Sequence, residues 1–371
     1  MAETTEPVRR IAINTGGGDA PGLNAVIRAV TLGAIDQGWE VFGIRDGYEG
    51  LLDPDRFDGA GVMALTRDSV RDITHLGGTI LGTTNRGNPF QHATTAADGT
   101  VTTSDRSAVV VAGLRQLGID VMVTVGGDGS QSIAHQLSLA GMPVIGVPKT
   151  IDNDLEHTDQ TTGFDSAVEF ASDCIDRVVS TTTAHGRVMV VEVMGRTAGW
   201  LALHAGVAGA AHAILIPEIP YDIAAVADRV LVRASRGQEF SIVVVAEGAR
   251  PVDGAVSTVD ESGRLGGVAQ RVAADLEELT GKEARWLSLG HLLRGGSPTA
   301  TDRVLGLRYG AEAVLAIKGG ARNVMIALEG DDVRLVPISD VAGRIKLVPM
   351  DAGIIRTARS IGICLGEPAA D

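Results

Sequence analysis

Three apolar segments in the first half of the chain each end in a polar motif. Residues 11–15 (IAINT) run into TGGGDAPG, residues 121–125 (VMVTV) into GGDGS, and residues 144–147 into PKTIDND. A β-branched run such as VMVTV is typical of a strand buried on both faces of a parallel sheet. Helical spacing follows over residues 22–36 and 130–139. Strand, glycine turn and helix in that order predict βα units and parallel sheets covered by helices.

The same alternation continues through the second half. It predicts further strands over residues 188–193, 213–216, 241–246 and 324–328, and helices over 224–236 and 268–280. A chain of 371 residues is long enough for two domains, each with its own core. In open sheets of this class, ligands bind beyond the carboxyl ends of the strands. All three polar motifs are predicted to lie at such ends.

The charge of the chain excludes some partners. Its 32 basic and 46 acidic side chains give a net charge of −14, which repels nucleic acid and anionic membranes. The polar start MAETTEPVRR lacks a signal-peptide core, and no apolar run reaches transmembrane length. We therefore expect a cytoplasmic protein with neither nucleic acid nor a membrane as partner.

The first two motifs predict a phosphate site. Glycines between a strand and a helix let backbone amides approach a phosphate at the helix N-terminus. The first motif has the spacing of neither a dinucleotide-binding loop nor a Walker A loop, so tight strand–helix packing remains an alternative there. In the second motif, Asp128 could hold Mg²⁺ beside a polyphosphate. Capping of the following helix by Asp128 or Ser130 is the alternative.

The third motif carries two carboxylates. Asp152 and Asp154, two residues apart, would project to the same side of an extended segment. Near a hydroxyl, one could accept its proton while the other orients the group or helps with the metal. Asx-turns in an ordinary surface loop are the alternative. The position directly after a buried strand favours the catalytic interpretation.

Four arginines flank two further strands. Arg187 and Arg196 bracket VMVVEVMG, while Arg285 and Arg294 bracket WLSLGHLL. Singly, such arginines are more often solvated, but together they suggest bidentate contacts to phosphate groups. His291 alone would be a hydrogen-bonded core or rim histidine.

Taken together and in this order, the segments GGDAPG, GGDGS, TIDND, VEVMGR and LGHLLRGGSP resemble the phosphofructokinase family over residues of about 10 to 320. The resemblance implies two Rossmann-like, three-layer α/β/α domains with mostly parallel sheets and the active site in the cleft between them. The implied donor domain spans 1–163 plus about 293–343. The implied sugar-phosphate domain spans 164–292 plus about 344–371.

The resemblance also implies an activity, the transfer of a phosphoryl group from ATP to the 1-hydroxyl of fructose 6-phosphate with Mg²⁺ in glycolysis. Asp152 matches the general base, Thr150 and Arg196 match groups that stabilise the transferring phosphoryl, and Asp154 matches an orienting carboxylate. Asp128 matches the Mg²⁺ position. The donor would be lined by Gly17, Gly126, Gly127, Gly129 and Ser130, and the sugar phosphate contacted by Met194, Gly195, Glu247, His291 and Arg294. Arg187 and Arg285 match residues that reach a neighbouring subunit's site, which implies a homodimer or homotetramer.

Donor choice depends on Gly129 and Lys149. Pyrophosphate users of the family typically carry Asp at the first position and Lys at the second, whereas ATP users carry Gly and then Gly or Lys. The pair found here therefore indicates ATP, with pyrophosphate as the alternative. Ile133 departs from the glycine of many ATP users. The family's donor-side arginine falls on Asn85, and Arg86 is predicted to replace it.

Three rival functions fit these motifs less well. A NAD or lipid kinase would share the GGDG loop but lacks the TIDND motif and the paired VEVMGR and LGHLLRGG strands. A non-catalytic sugar-phosphate sensor would not need Asp128, Asp152 and Asp154 together. A dehydrogenase is disfavoured because no G-x-G-x-x-G follows the first strand. We therefore predict that the three carboxylates converge on one site facing Arg196.

Overall fold

The computed structural model describes residues 8–95, 99–260 and 263–367. The expectation about the N-terminus rests partly on residues 1–7, which lie outside the described residues. The strands are β1 (Arg10–Thr15), β2 (Glu40–Ile44), β3 (Val62–Leu65), β4 (His92–Thr95), β5 (Val101–Ser104), β6 (Val121–Gly126), β7 (Val144–Pro148), β8 (Val188–Val193), β9 (Ala213–Leu215), β10 (Ser241–Ala246), β11 (Ala284–Ser288), β12 (Val324–Glu329) and β13 (Asp332–Pro337). The α-helices are α1 (Leu23–Asp36), α2 (Glu49–Leu52), α3 (Ser107–Gln116), α4 (Asp128–Leu139), α5 (Phe164–His185), α6 (Trp200–Ala208), α7 (Ile223–Ser235), α8 (Val268–Thr280), α9 (Ala300–Lys318), α10 (Ile338–Val341) and α11 (Gly353–Ser360).

The chain divides into two units, each built from separate stretches. The first comprises the described residues of Met1–Thr150, Leu155–Gly163 and Arg294–Ile345, and the second those of Ile151–Asp154, Phe164–Leu293 and Lys346–Asp371. The predicted boundaries put Ile151–Asp154 in the first domain, whereas the structure groups it with the second unit. One physical reason is that the backbone N–H of Lys346 donates to the carbonyl of Asp154 at 2.8 Å.

The first unit holds a seven-stranded sheet in the order β13-β12-β7-β6-β1-β2-β3. Its pairs are parallel except at the edges, where β2–β3 and β12–β13 are antiparallel. Side chains of β6 alternate between faces: Val121, Val123 and Val125 join a core with α1 and α9, and Met122 joins a core with α3 and α4. The continuous apolar run in the sequence therefore reflects burial on both faces.

The second unit holds a four-stranded sheet in the order β11-β8-β10-β9, and every pair is parallel. Helices α7 and α8 supply the core on one face. On the other face α6 packs so closely that a Cβ on Gly206 would lie 2.6 Å from side-chain atoms of Ile214. The predicted fold class, α/β with mostly parallel sheets and helices on both faces, is confirmed.

Some elements depart from the sequence prediction. The helix expected from residue 130 begins at Asp128. The antiparallel edge strands β3 and β13 and the separate β4–β5 hairpin were not predicted. Among the described residues, none of the helices combines the length and apolar character needed to cross a bilayer.

Candidate active site

The first glycine motif and the second lie side by side at a switch point of the first unit's sheet. Strand β1 neighbours β6, and the chain leads from β1 to β2 on one side and from β6 to β7 on the other. Such divergence leaves a crevice at the carboxyl ends of the two strands. Thr15 pairs with Val125, and the N–H of Gly16 donates to the carbonyl of Val125 at 2.9 Å.

Packing requires glycine at residues 16 and 126 of this crevice but not at residue 129. A Cβ on Gly126 would lie 2.2 Å from the Ser130 hydroxyl oxygen, and one on Gly16 would lie 2.7 Å from it. At Gly129, by contrast, a Cβ would meet no heavy atom within 4 Å apart from its chain neighbours and the backbone of its own helix. A side chain at residue 129 would therefore enter open space beside the loop.

Asp128 is the first residue of α4, and Gly127 occupies the N-cap position. The alternative of helix capping by Asp128 or Ser130 is therefore wrong. Asp128 is half-buried, and its negative charge in the first helical turn suits the helix dipole. Within the described ranges no three His, Cys, Asp or Glu side chains come together as a metal cage. One carboxylate still fits Mg²⁺, which usually keeps several waters and binds substrate phosphates.

Lys149 lies beneath the first glycine loop. It is 2% exposed, and its Nζ donates to the carbonyls of Gly16, at 3.0 Å, and Gly18. The next residue, Thr150, is also buried, and its carbonyl accepts a hydrogen bond from the Thr161 hydroxyl at 2.6 Å. The motif PKT thus places a buried positive charge directly against the predicted phosphate loop.

The loop that carries Arg86 is bonded to the same glycine loop. The Thr83 hydroxyl donates to the carbonyl of Gly17 at 2.6 Å, and the N–H of Gly17 donates to the carbonyl of Thr84 at 3.1 Å. Arg86 itself is exposed. Arg294 also belongs to this unit, and its Nη1 donates to the carbonyl of Asp19 at 3.2 Å.

The carboxylates of the third motif belong to the second unit. Asp152 and Asp154 are 3% and 4% exposed. Between them Asn153 has φ 52°, a left-handed conformation that asparagine adopts more readily than most residues. The segment therefore turns at Asn153, and the prediction of an extended segment is wrong there.

The ends of β8 and β10 bring the VEVMGR motif against Glu247. The backbone N–H of Arg196 donates to Glu247 Oε1 at 3.0 Å. Arg196 has φ 50°, and a Cβ on Gly248 would lie 1.9 Å from its carbonyl oxygen. Burial raises the pKa of Glu247, and the nearby carboxylates of Asp152 and Glu192 raise it further, against the hydrogen bond from Arg196. Asp152, Arg196 and Glu247 therefore share one electrostatic environment.

The other predicted arginines of this unit lie elsewhere. Arg187 directly precedes β8, and Arg285 lies near the start of β11, its parallel neighbour. Both pair with Glu283, at 3.2 Å and 2.8 Å. They thus lie at the amino ends of β8 and β11, whereas Met194, Gly195 and Arg196 follow the carboxyl end of β8. His291 is exposed in the short 3-10 helix Gly290–Arg294, beyond the carboxyl end of β11.

Glu192 belongs to this site and was not predicted. It is 5% exposed at the penultimate position of β8, accepts the N–H of Ala269 at 3.0 Å and accepts a hydrogen bond from the Ser288 hydroxyl at 3.0 Å. Its carbonyl accepts the N–H of Leu289 at 3.0 Å. An acid inside the otherwise apolar run VMVVEV was the available signal, because a buried carboxylate needs partners.

The predicted residues divide between the two units. Asp128, Lys149 and the donor glycines belong to the first, and Asp152, Asp154, Arg196 and Glu247 belong to the second. Their predicted convergence facing Arg196 stays a prediction.

The known proteins that this chain resembles are phosphofructokinases. The family model described as Phosphofructokinase matches residues 10–317. The ATP-dependent 6-phosphofructokinase of Chloroflexus aurantiacus is 49% identical over 359 residues, 97% of this chain and 98% of its own. Phosphofructokinase from Saccharomyces cerevisiae is 31% identical with a TM-score of 0.76 over 90% of this chain, which spans 45% of the yeast chain. A pyrophosphate-dependent phosphofructokinase from Marinobacter aquaeolei, 24% identical over 98% of this chain and 94% of its own, shares the fold with a TM-score of 0.78.

Proposed function

Because the chain belongs to the phosphofructokinase family, we propose that it is an ATP-dependent 6-phosphofructokinase of glycolysis, which transfers the γ-phosphoryl group of ATP to the 1-hydroxyl of fructose 6-phosphate. The observation that carries the proposal is the near full-length similarity to ATP-dependent relatives, joined to the open space beside Gly129. A carboxylate at that position would obstruct and repel a nucleotide, and this chain has none.

In this proposal Asp152 accepts the proton of the sugar 1-hydroxyl as it attacks. Thr150 and Arg196 stabilise the negative charge of the transferring phosphoryl group, and Asp154 orients the reacting groups. Positioning and charge neutralisation dominate phosphoryl transfer, so the protein needs little covalent chemistry of its own. Asp128 would hold Mg²⁺, which neutralises phosphate charge when bound.

The remaining residues serve binding. The amides of the Gly17 loop and of Gly126, Gly127, Gly129 and Ser130 suit the phosphates of the donor, with Arg86 beside them. Met194, Gly195, Glu247, His291 and Arg294 contact fructose 6-phosphate. We assign Arg187 and Arg285 to a neighbouring subunit's site, since both lie at the opposite strand ends from Arg196 within this chain. This assignment requires a homodimer or homotetramer. The cytoplasmic location stays a prediction.

Pyrophosphate is the second candidate donor. The buried ammonium of Lys149, bonded to the glycine loop, is the observation that favours it, because pyrophosphate users of the family also carry lysine there. Gly129 opposes it.

The donor test compares the initial rates of the purified protein with ATP–Mg²⁺ and with pyrophosphate–Mg²⁺, measuring fructose 1,6-bisphosphate through an aldolase-coupled assay. We expect kcat/KM to be at least about 100-fold higher with ATP, the discrimination that about 3 kcal/mol of additional transition-state contacts to the nucleotide would give. Higher turnover with pyrophosphate would overturn the choice of donor, and no product with either donor would overturn the proposed activity.

A further inference from the structure

A late segment of the chain braces the turn that carries Asp152 and Asp154. After the first unit is complete, the chain returns to the second unit at Lys346. There the backbone N–H of Lys346 donates to the carbonyl of Asp154 at 2.8 Å. We call residues 346–348 the strap. Because Asn153 is left-handed, a bond at Asp154 fixes the exit of the turn and limits how far the turn can rotate.

Trp200 anchors the strap to α6. Its indole Nε1–H donates to the carbonyl of Lys346 at 2.9 Å. The ammonium of Lys346 lies 5.2 Å from the centre of the Trp200 ring, within the range of a cation–π contact. Both peptide groups that flank the α-carbon of Lys346 are therefore held, one by Asp154 and one by Trp200.

Glu218 hydrogen-bonds both to the strap and to the residue that precedes Trp200. Its Oε1 accepts the N–H of Gly199, the residue before Trp200, at 3.0 Å and the N–H of Val348 at 2.9 Å. The other oxygen, Oε2, is buried and makes no hydrogen bond within the described part of the chain. A carboxylate whose second oxygen is buried without a hydrogen bond is costly, and its presence at this junction fits a geometric role.

We propose that Trp200 is a positioning residue for phosphoryl transfer, which acts through Lys346 to hold the Asp152–Asp154 turn at its working geometry. The inference rests on the proposed role of Asp152 as general base. Trp200 contacts no reacting group in this account. A displacement of a base by about 1 Å can cost on the order of 100-fold in rate without weakening substrate binding, which is why such a brace would matter.

The test variant is Trp200→Phe, which keeps a smaller aromatic ring near the Lys346 ammonium and removes the N–H donor together with the five-membered ring of the indole. We expect kcat to fall about 10-fold, while KM for fructose 6-phosphate and for ATP each stay within about twofold, since the turn loosens but the binding residues remain. The matched control is Trp39→Phe. Trp39 is half-buried against the core of the first unit, and its replacement should leave both constants unchanged.

Combining Trp200→Phe with a variant of Asp152 distinguishes a positioning role of Trp200 from a general loss of stability. In an Asp152→Asn background, Trp200→Phe should lower the residual kcat by less than about twofold, because a base that is already absent cannot be misplaced. An equal loss in both backgrounds, or a loss in Trp200→Phe that follows only a fall in Tm, would show a merely structural role and overturn the inference.

A second variant guards against misfolding. Glu218→Gln keeps an acceptor oxygen for Gly199 and Val348, and should retain kcat within about threefold, whereas Glu218→Ala should reproduce the kcat loss of Trp200→Phe. Full kcat in both Trp200→Phe and Glu218→Ala, with Asp152→Asn impaired, would overturn the inference alone. Full kcat in Asp152→Asn would instead overturn the proposed function.

Discussion

The carboxylate of Glu247 holds the backbone of Arg196: Oε1 accepts the Arg196 N–H at 3.0 Å, and Arg196 is thereby kept in a left-handed conformation at φ 50°. Non-glycine residues in this conformation cost about 1–3 kcal/mol and persist where the surroundings enforce them. Here Glu247, directly after β10, holds the geometry of Arg196 in the loop that follows β8. The backbone of Arg196 is therefore held by an acid that directly follows the neighbouring strand β10.

Replacing Glu247 with Gln should preserve this hydrogen bond and remove the charge. If Glu247 also accepts a hydrogen bond from fructose 6-phosphate, KM for the sugar phosphate should rise about 10- to 100-fold, the value of a hydrogen bond to a charged group. Steady-state kinetics with varied fructose 6-phosphate measure this. The exposed Glu278→Gln is the control. An unchanged KM would remove Glu247 from the sugar site.

The raised pKa of Glu247 predicts a pH dependence. Burial, with Asp152 and Glu192 nearby, keeps the carboxyl protonated to a higher pH than an ordinary glutamate. The charged form is therefore lost earlier as the pH falls, and KM for fructose 6-phosphate should rise on the acid side. In Glu247→Gln, KM should be higher and nearly independent of pH across that limb. Parallel pH profiles for the two proteins would contradict the assignment.

Asp152→Ser tests the general base. Removal of the carboxylate should lower kcat by about 100- to 10,000-fold, while KM for fructose 6-phosphate stays within about threefold. The matched control is the exposed Asp253→Ser in the same unit, which should be fully active. Full turnover in Asp152→Ser would show that another group takes the proton.

Gly129→Asp tests donor selection without disturbing the fold. Its side chain would point into open space, and an acid in the first turn of α4 suits the helix dipole, so Tm should be unchanged or slightly higher. KM for ATP should nevertheless rise at least about 10-fold, because the carboxylate repels the phosphates. Gly129→Ala adds bulk without charge and should show the smaller effect. Equal effects would mean that steric obstruction alone decides.

Mixing two inactive variants tests the assignment of Arg187 to a neighbouring site. Asp152→Asn and Arg187→Ala chains are each expected to be inactive or nearly so. In a hybrid, one site would combine an intact Asp152 with the Arg187 of the other chain. After refolding an equal mixture, about a quarter of the wild-type activity should return if paired subunits share sites. No recovery would place Arg187 outside the partner's site.

His212 predicts a loss of stability at acid pH. Burial lowers the pKa of its ring to about 4, helped by Arg233 and Arg229, and its Nδ1 accepts the N–H of Ile242 at 2.9 Å. The unfolded chain takes up the proton near pH 6.5 and the folded chain only near 4, so this contribution to stability is full above 6.5 and is lost as the pH falls between them. His212→Asn, which keeps an acceptor, should show a flatter Tm over this range. Equal slopes for both proteins would exclude His212 as a cause.

The buried strands were predictable because their signal is local. Strands β1, β6, β7, β8 and β10 lie within one residue of the segments expected from β-branched runs, since both faces of each strand are buried. Strands β5 and β13 are largely exposed and carry no continuous apolar run. Their positions follow from pairing with partners, which single-sequence periodicity does not encode.

Part of the candidate site also has a local sequence signal, and part of it does not. Glycines after strands indicated the donor loop, because a backbone that must approach a ligand closely requires glycine, and this requirement is visible in the sequence. Other features depend on contacts between residues far apart in the chain. These are the turn at Asn153, the hydrogen bond from Lys346 to Asp154 and the hydrogen bond from Ala269 to Glu192. The identity of Lys346 carries no signal, since it is the backbone of that residue that holds Asp154.

The pairing of β12 with β7 has a consequence for biosynthesis. Val144 and Asn323 are bonded although they are 179 positions apart, and the whole of α5 to β11 is translated between them. At about 5–20 residues per second, the edge of β7 waits roughly 10–40 seconds on the ribosome for its neighbour. A nascent chain of this protein therefore presents an open, apolar sheet edge while its middle portion is being translated, and this interval is where a chaperone would have most to protect.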